Sequence, residues 1–119
     1  MKTVYGITLH YNTGDSFSNY NEVTRLEMTW RDKNNAEKNL QSIEEHDRML
    51  HELNEYTPRS RKVRDERIKD SYRNSPWYVE ENYRSIKLIS DSGKEMVVLP
   101  FWQGYFEQYL YGEIIKTKI

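Results

Sequence analysis

The chain has 119 residues, 36% of them hydrophobic and 31% charged, so it fits one domain over residues 1–119 that buries only a modest core. A formal net charge of −1 excludes whole-domain attraction to nucleic acid or to an anionic membrane, and any anion site has to be local. With no cysteine there is no disulfide framework or thiol chemistry, and no stretch approaches the roughly 20 apolar residues that span a bilayer, so a soluble, cytoplasmic protein without a cleaved leader is expected.

Residues 3–12 alternate, with Tyr5, Ile7, Leu9 and Tyr11 on one face and Val4, Gly6, Thr8 and His10 on the other, which predicts a strand with one apolar side. Residues 12–16, Asn-Thr-Gly-Asp-Ser, carry turn chemistry, and a polar loop runs on through Asn21. Residues 23–31 alternate again: Leu26, Met28 and Trp30 oppose Arg25, Glu27, Thr29 and Arg31, as an antiparallel partner of the first strand would.

Asn34 followed three residues later by Glu37 predicts an N-cap and its capping-box partner. Ala36, Leu40, Ile43, Asp47, Leu50 and Leu53 recur at helical spacing with one polar interruption, and Pro58 ends the helix near Tyr56. Residues 59–72 are charged almost throughout, with a thin seam of Val63, Ile68 and Tyr72. They predict a second helix of a hairpin, leaning on another subunit or facing solvent.

Pro76 breaks that pattern, and Trp77, Tyr78 and Val79 return the chain to sheet. Residues 83–90 and 95–99 flank Asp91-Ser92-Gly93-Lys94 and predict a β-hairpin. A short helical or irregular segment then carries Trp102 to Tyr109, and residues 113–119 suggest a last strand. The predicted fold is α+β: an antiparallel β-sheet with an inserted helical hairpin. Because so small a core leaves little burial in excess of conformational entropy, a homo-oligomer, dimer or higher, is expected.

Two surfaces compete for function. Arg59, Arg61, Lys62, Arg64, Arg67, Lys69 and Arg73 face only Asp65, Glu66 and Asp70 as counter-charges, and Arg presents a planar fork to phosphate, so Arg59 and Arg61 are the favoured anion contacts. A solvated helix face explains the same run. Trp102, Tyr105, Phe106 and Tyr109 would form a stacking wall for a nucleobase, yet a chain poor in aliphatic residues also needs such rings as core. Residues 13–17 would hold an anion on backbone N–H groups, or Phe17 over a ligand, and equally make a plain hairpin turn.

Reaction chemistry is not evident. His46 and His51 are five apart and fall on different helix faces, which does not reproduce zinc-ligand spacing and assigns them a surface role. His10 has no nucleophile beside it in sequence, and Glu44, Glu45 and Asp47 do not converge across a cleft. Catalytic residues, metal and cofactor are therefore expected to be none, and the chain is read as not an enzyme.

Tyr5-Gly6, residues 13–17 (Thr-Gly-Asp-Ser-Phe), Trp30 ahead of residues 36–40 and 43–46, and Trp102-x-Gly104-Tyr105-Phe106-Glu107 together resemble a family of small bacteriophage proteins, over nearly the whole chain. The arrangement is similar to the first type of phage anti-Thoeris proteins, sponges for a cyclic ADP-ribose signal made by bacterial TIR-domain enzymes. That resemblance implies an oligomer, in the cytoplasm of an infected bacterium, that buries a small cyclic nucleotide ligand without cleaving it. It implies stacking by Phe17 and Trp102, phosphate contacts from Arg25, Arg59 and Arg61, and ribose contacts from Asp15. The alternative is a phage protein that inhibits a host defence or CRISPR effector by direct protein binding, with a small hydrolase third.

Overall fold

The computed structural model describes residues 2–14, 19–54, 61–98 and 108–119. In chain order these form β1 (Thr3–Gly14), β2 (Asn19–Trp30), α1 (Lys33–Asn54), α2 (Arg61–Tyr72), β3 (Ile86–Ile89), β4 (Glu95–Val98) and β5 (Gln108–Lys118). The α+β class is as the sequence pattern predicts. The strands divide into two sheets, β2-β1-β5 and β3-β4, with every pairing antiparallel.

β1 is the central strand of the larger sheet because its alternation gives one fully apolar side and hydrogen-bonding edges on both flanks. Its register sets Tyr5 opposite Trp30 and Lys116, Leu9 opposite Thr24 and Gly112, and Tyr11 opposite Glu22 and Tyr109. Ile7, Leu9, Tyr11 and Trp30 are all buried on that side. Both pairings contain an irregularity: β2 has two extra residues between the Gly6 and Thr8 partners, and β5 has one near Leu110. The even insertion leaves Arg25, Glu27 and Thr29 on the same face, as the alternation requires.

α1 lies along the apolar face, and its backbone packs against β1, β2 and β5 on one side and against α2 and β3 on others. It begins at the Tyr5 and Trp30 end and runs toward the Tyr11 and Tyr109 end. Asn39 bonds β3 at Ile89, Leu40 lies over Gly112, and the Glu44 carboxylate stands near the Tyr109 hydroxyl. The N-cap is Asp32, two residues earlier than the Asn34 expectation: Asp32 Oδ1 accepts the Asn34 N–H at 2.8 Å, and its carbonyl accepts from Ala36. Asp91 in the β3-β4 turn reinforces this start by accepting from the Arg31 N–H at 2.6 Å and the Asn35 side chain at 3.0 Å. Those bonds hold its carboxyl below the usual carboxylate range.

The buried stripe of α1 is Ala36, Asn39, Ile43, His46 and Met49, with Leu40, Leu50 and Leu53 at its margins. His46 is fully buried, which corrects its assignment to the surface. Its Nε2 donates to the Tyr83 carbonyl at 2.8 Å, its ring meets Trp77 edge-on with centroids 5.3 Å apart, and burial depresses its pKa. Asn39 is satisfied from both ends, accepting from the Ile89 N–H at 2.8 Å and donating to the Ile89 and Asn35 carbonyls. It thereby fastens β3 to the helix.

α2 contacts α1 and no described strand, so the helical hairpin is present as expected. Arg64 Nη2 donates to the Leu53 carbonyl at 2.9 Å, which satisfies an orphan acceptor in the last turn of α1 and sets a positive charge at the negative end of its dipole. Between Pro76 and Ile86 the expected return to sheet amounts to a single bridge, Tyr78 to Ile86. Gly93 closes the β3-β4 turn at φ +85°, the left-handed conformation that the hairpin prediction required of it. β5 starts at Gln108, five residues before the position that its own alternation suggests.

Candidate functional site

The larger sheet has one face under α1 and one face without a layer upon it among the described residues. The open face carries Val4, Gly6, Thr8 and His10 from β1, Val23, Arg25, Glu27 and Thr29 from β2, and Tyr111, Glu113, Ile115 and Thr117 from β5. Two polar groupings sit there.

The first is built on Gly6. Because this position lacks a side chain, the guanidinium of Arg25 lies across it, with Nε and Nη2 each 3.5 Å from where a Cβ would stand. Nη2 donates to Thr117 Oγ1 at 3.3 Å on the far strand. Arg25 thus spans the sheet diagonally, and as an exposed residue it keeps donors turned to solvent.

The second grouping is His10, Glu113 and Tyr111. His10 stacks on Tyr111 with centroids 4.2 Å apart and planes 14° from parallel, and its Nε2 donates to Glu113 Oε2 at 3.1 Å. Both partners come from β5, more than a hundred residues away in sequence, which is why His10 had no visible partner in the linear pattern. Tyr111 remains 47% exposed, so one face of its ring is committed to His10 while part of the side chain is open. From strand spacing, Arg25 and Tyr111 stand about 7 Å apart along the strands and about 10 Å across them. A surface with a guanidinium at that distance from an aromatic plane suits a ligand with a flat ring and an anionic group.

Of the six residues proposed from sequence, Arg25 is the one whose side chain is described, and it lies on this face. Arg61 opens α2, with its side chain outside the described residues. Asp15, Phe17, Arg59 and Trp102 lie outside them as well, as do Tyr105 and Phe106 of the aromatic block. Some of the described positions that flank those segments lie toward one end of the larger sheet, whereas Val98 pairs with Ile86 in the other sheet. Gly14 pairs with Asn19 at the tip of the β1-β2 ladder, Gln108 pairs with Asn12 beside it, and α1 runs toward that same end to finish at Asn54. Arg61 is held there too, since Arg64 is bonded to Leu53.

Tyr109, the one ring of the aromatic block that is described, packs half-buried on the core and meets Tyr11 edge-on at 6.2 Å. Burial, then the carboxylates of Glu44 and Asp47, pushes its hydroxyl well above the usual tyrosine range. The basic run is partly consumed by structure. Arg64 caps α1, Arg73 pairs with Asp70 and with Glu80, and Lys69 lies 4.6 Å from the centroid of the Tyr83 ring. Lys62 and Arg67 stay exposed. Among the described residues no cluster of three or more His, Cys, Asp or Glu side chains has metal-binding geometry. No described helix is long and apolar enough to cross a membrane. Comparison with protein-family models, with curated proteins and with solved structures gives no match.

Proposed function

We propose that this chain binds and sequesters a cyclic ADP-ribose-type nucleotide without cleaving it, as a bacteriophage anti-defence protein of the Thoeris-signal sponge kind acting in the cytoplasm of the infected cell. The observation that carries the proposal is the pairing, on one uncovered face, of a solvent-facing Arg25 guanidinium and a partly exposed Tyr111 ring. An adenine and a phosphate are the two ligand parts that such groups recognise. Asp15, Phe17, Arg59, Arg61 and Trp102 complete the assignment. Sequestration asks for tight binding and slow release, and no acid-base group has to be placed against the ligand.

Self-association belongs to this proposal. A second copy on the open face would enclose Arg25 and Tyr111 in a shared cleft. The test is to incubate the protein with cyclic ADP-ribose isomers, remove free ligand, and measure subunit number and retained mass by native mass spectrometry before and after heating. Intact nucleotide released from an oligomer is the expected result. Recovery of all nucleotide in the free fraction at every protein concentration rejects the proposal, and return of an altered nucleotide would make the protein an enzyme.

A second reading, inhibition of a host effector by direct binding, is favoured by the outer edges of β2 and β5. Each is long, neither has a strand neighbour on its outer side among the described residues, and Val23 and Leu110 are exposed on them. A stoichiometric effector complex that survives in the wild type and is lost in Val23→Glu supports this reading; unchanged effector activity at saturating protein rejects it.

A further inference from the structure

β2 is an outer strand of the larger sheet, extended over all of Asn19–Trp30, with no strand on its outer side among the described residues. A strand edge presents unpaired N–H and C=O groups that template pairing with another chain, and Lys, Pro or shortness ordinarily blunts it. β2 has 12 residues and contains neither Lys nor Pro. The opposite edge, β5, carries Lys116 and Lys118. The irregularity opposite Ile7 is the guard that β2 retains, and its even insertion keeps Arg25, Glu27 and Thr29 on the open side and Thr24, Leu26 and Met28 on the covered side.

Charge on this edge identifies what fits it. Arg25 and Glu27 are exposed, opposite in sign and two residues apart, and neither makes an ion pair among the described residues. Two antiparallel copies of residues 23–29, centred on Leu26, set Arg25 opposite Glu27 of the second copy and, by symmetry, Glu27 opposite Arg25 of the second copy. Val23, 58% exposed in the single chain, then faces Thr29 of the second copy on the same side. On the covered side Leu26 meets its own counterpart and Thr24 meets Met28. Leu26 and Met28 are only partly buried against the core, so a strand laid beside them completes their cover.

The register is selective. Slipping the copies by two residues, the smallest shift that keeps every side chain on its own face, opposes Arg25 to Arg25 in one direction and Glu27 to Glu27 in the other. Like charges directly opposite destabilise a strand pair, so both neighbouring registers are disfavoured and the one centred on Leu26 is not.

We infer that the outer edge of β2 is a homodimer contact, in which residues 23–29 pair antiparallel with the same residues of a second copy about a two-fold axis at Leu26. The two three-stranded sheets then join into one of six strands, with both open faces on the same side. This contact runs along the sheet edge, is separate from the closure of the open face proposed above, and does not depend on nucleotide binding.

The test is sedimentation equilibrium of the full chain without nucleotide, with circular dichroism to confirm that each variant keeps its fold. The wild type is expected to be a reversible dimer. Arg25→Glu sets an acid opposite Glu27 at both symmetric positions, and Glu27→Arg sets a base opposite Arg25; each should weaken the dimer at least about tenfold. The double variant Arg25→Glu, Glu27→Arg brings opposite charges together again and should dimerise within about threefold of wild type. Because the chain has no cysteine, Leu26→Cys introduces one thiol that faces its counterpart across the axis, and mild oxidation should link the copies. Thr24→Cys, which faces Met28 instead, should stay unlinked. A monomer at every concentration overturns the inference, as does a dimer that both single reversals leave intact. Loss of the dimer in both single variants without recovery in the double variant, or equal linking at positions 24 and 26, overturns the register. Nucleotide retention enters none of these measurements, so this inference and the proposed function fail separately.

Discussion

The two faces of the β2-β1-β5 sheet are made by the same three strands, yet they obey different rules. On the face under α1, Ile7, Leu9, Tyr11 and Trp30 are almost fully buried, and each side chain is fixed by its neighbours. On the other face Arg25 and the His10-Tyr111 pair hold positions through one or two polar contacts and remain partly in solvent. The first face is answerable to packing and the second, on the proposed function, to recognition. A substitution should therefore read out as stability on one side and as binding on the other.

The largest effect is expected at Trp30. It fills the covered face, and its Nε1 donates to the Ile89 carbonyl at 2.8 Å, tying the two sheets together. Trp30→Ala should cost about 3–5 kcal/mol in urea unfolding, a large share of the total stability of a domain this size.

Two strand glycines, Gly6 and Gly112, give a sharper contrast. A Cβ on Gly112 would press on Leu40 and come within 3.0 Å of the Tyr109 hydroxyl and 3.2 Å of Leu9. Gly112→Ala should cost about 1–3 kcal/mol by overpacking. Gly6→Ala meets only the Arg25 guanidinium, at an ordinary 3.5 Å, and should change stability by less than about 0.5 kcal/mol. If both variants unfold at the same denaturant concentration, the distinction between the faces fails.

Acid probes the covered side through His46. Its folded pKa lies below the ordinary value of 6.5, mainly through burial, so below that pH the unfolded chain binds a proton that the folded chain does not. The contribution of neutral His46 is fully present above pH 6.5 and is lost as pH falls from there through the depressed folded value. Stability measured from pH 7 downward should decline over that window, and His46→Gln should flatten this part of the profile.

The smallest stability effect belongs to Arg25. Arg25→Ala removes one exposed hydrogen bond and should shift stability by less than about 0.5 kcal/mol, while abolishing nucleotide retention if the open face is the site. A melting temperature that falls as far as that of Gly112→Ala would make Arg25 a structural residue instead.

Where local rules decide conformation, the linear pattern was sufficient. The alternation in β1 and β2, the helical repeat in α1 and the left-handed Gly93 are properties of neighbours in sequence, and they recover the α+β class, both helices and the β3-β4 hairpin. The errors share another cause. Asp32 outcompetes Asn34 as the cap because its carboxylate is placed two residues earlier, where the Arg31 bond to Asp91 fixes the chain. The buried stripe of α1 runs through Asn39 and His46 because Ile89 and Tyr83 supply their hydrogen bonds, and a polar side chain satisfied by distant backbone packs as core.

The candidate site was less legible than the fold. Arg25 was identifiable as a polar-face arginine, but its reach across Gly6 to Thr117, and the meeting of His10 with Tyr111 and Glu113, depend on a pairing of the first strand with the last.

The sequence by itself determined the period of each segment, the turn at Gly93, the small core and the absence of thiol chemistry, because these follow from side-chain type and spacing along one chain. Only the tertiary structure decided which face of the sheet is covered, that His46 belongs to the core, and which polar groups stand together on the open side. Those outcomes rest on burial and hydrogen bonding between residues far apart in sequence, where no local preference acts.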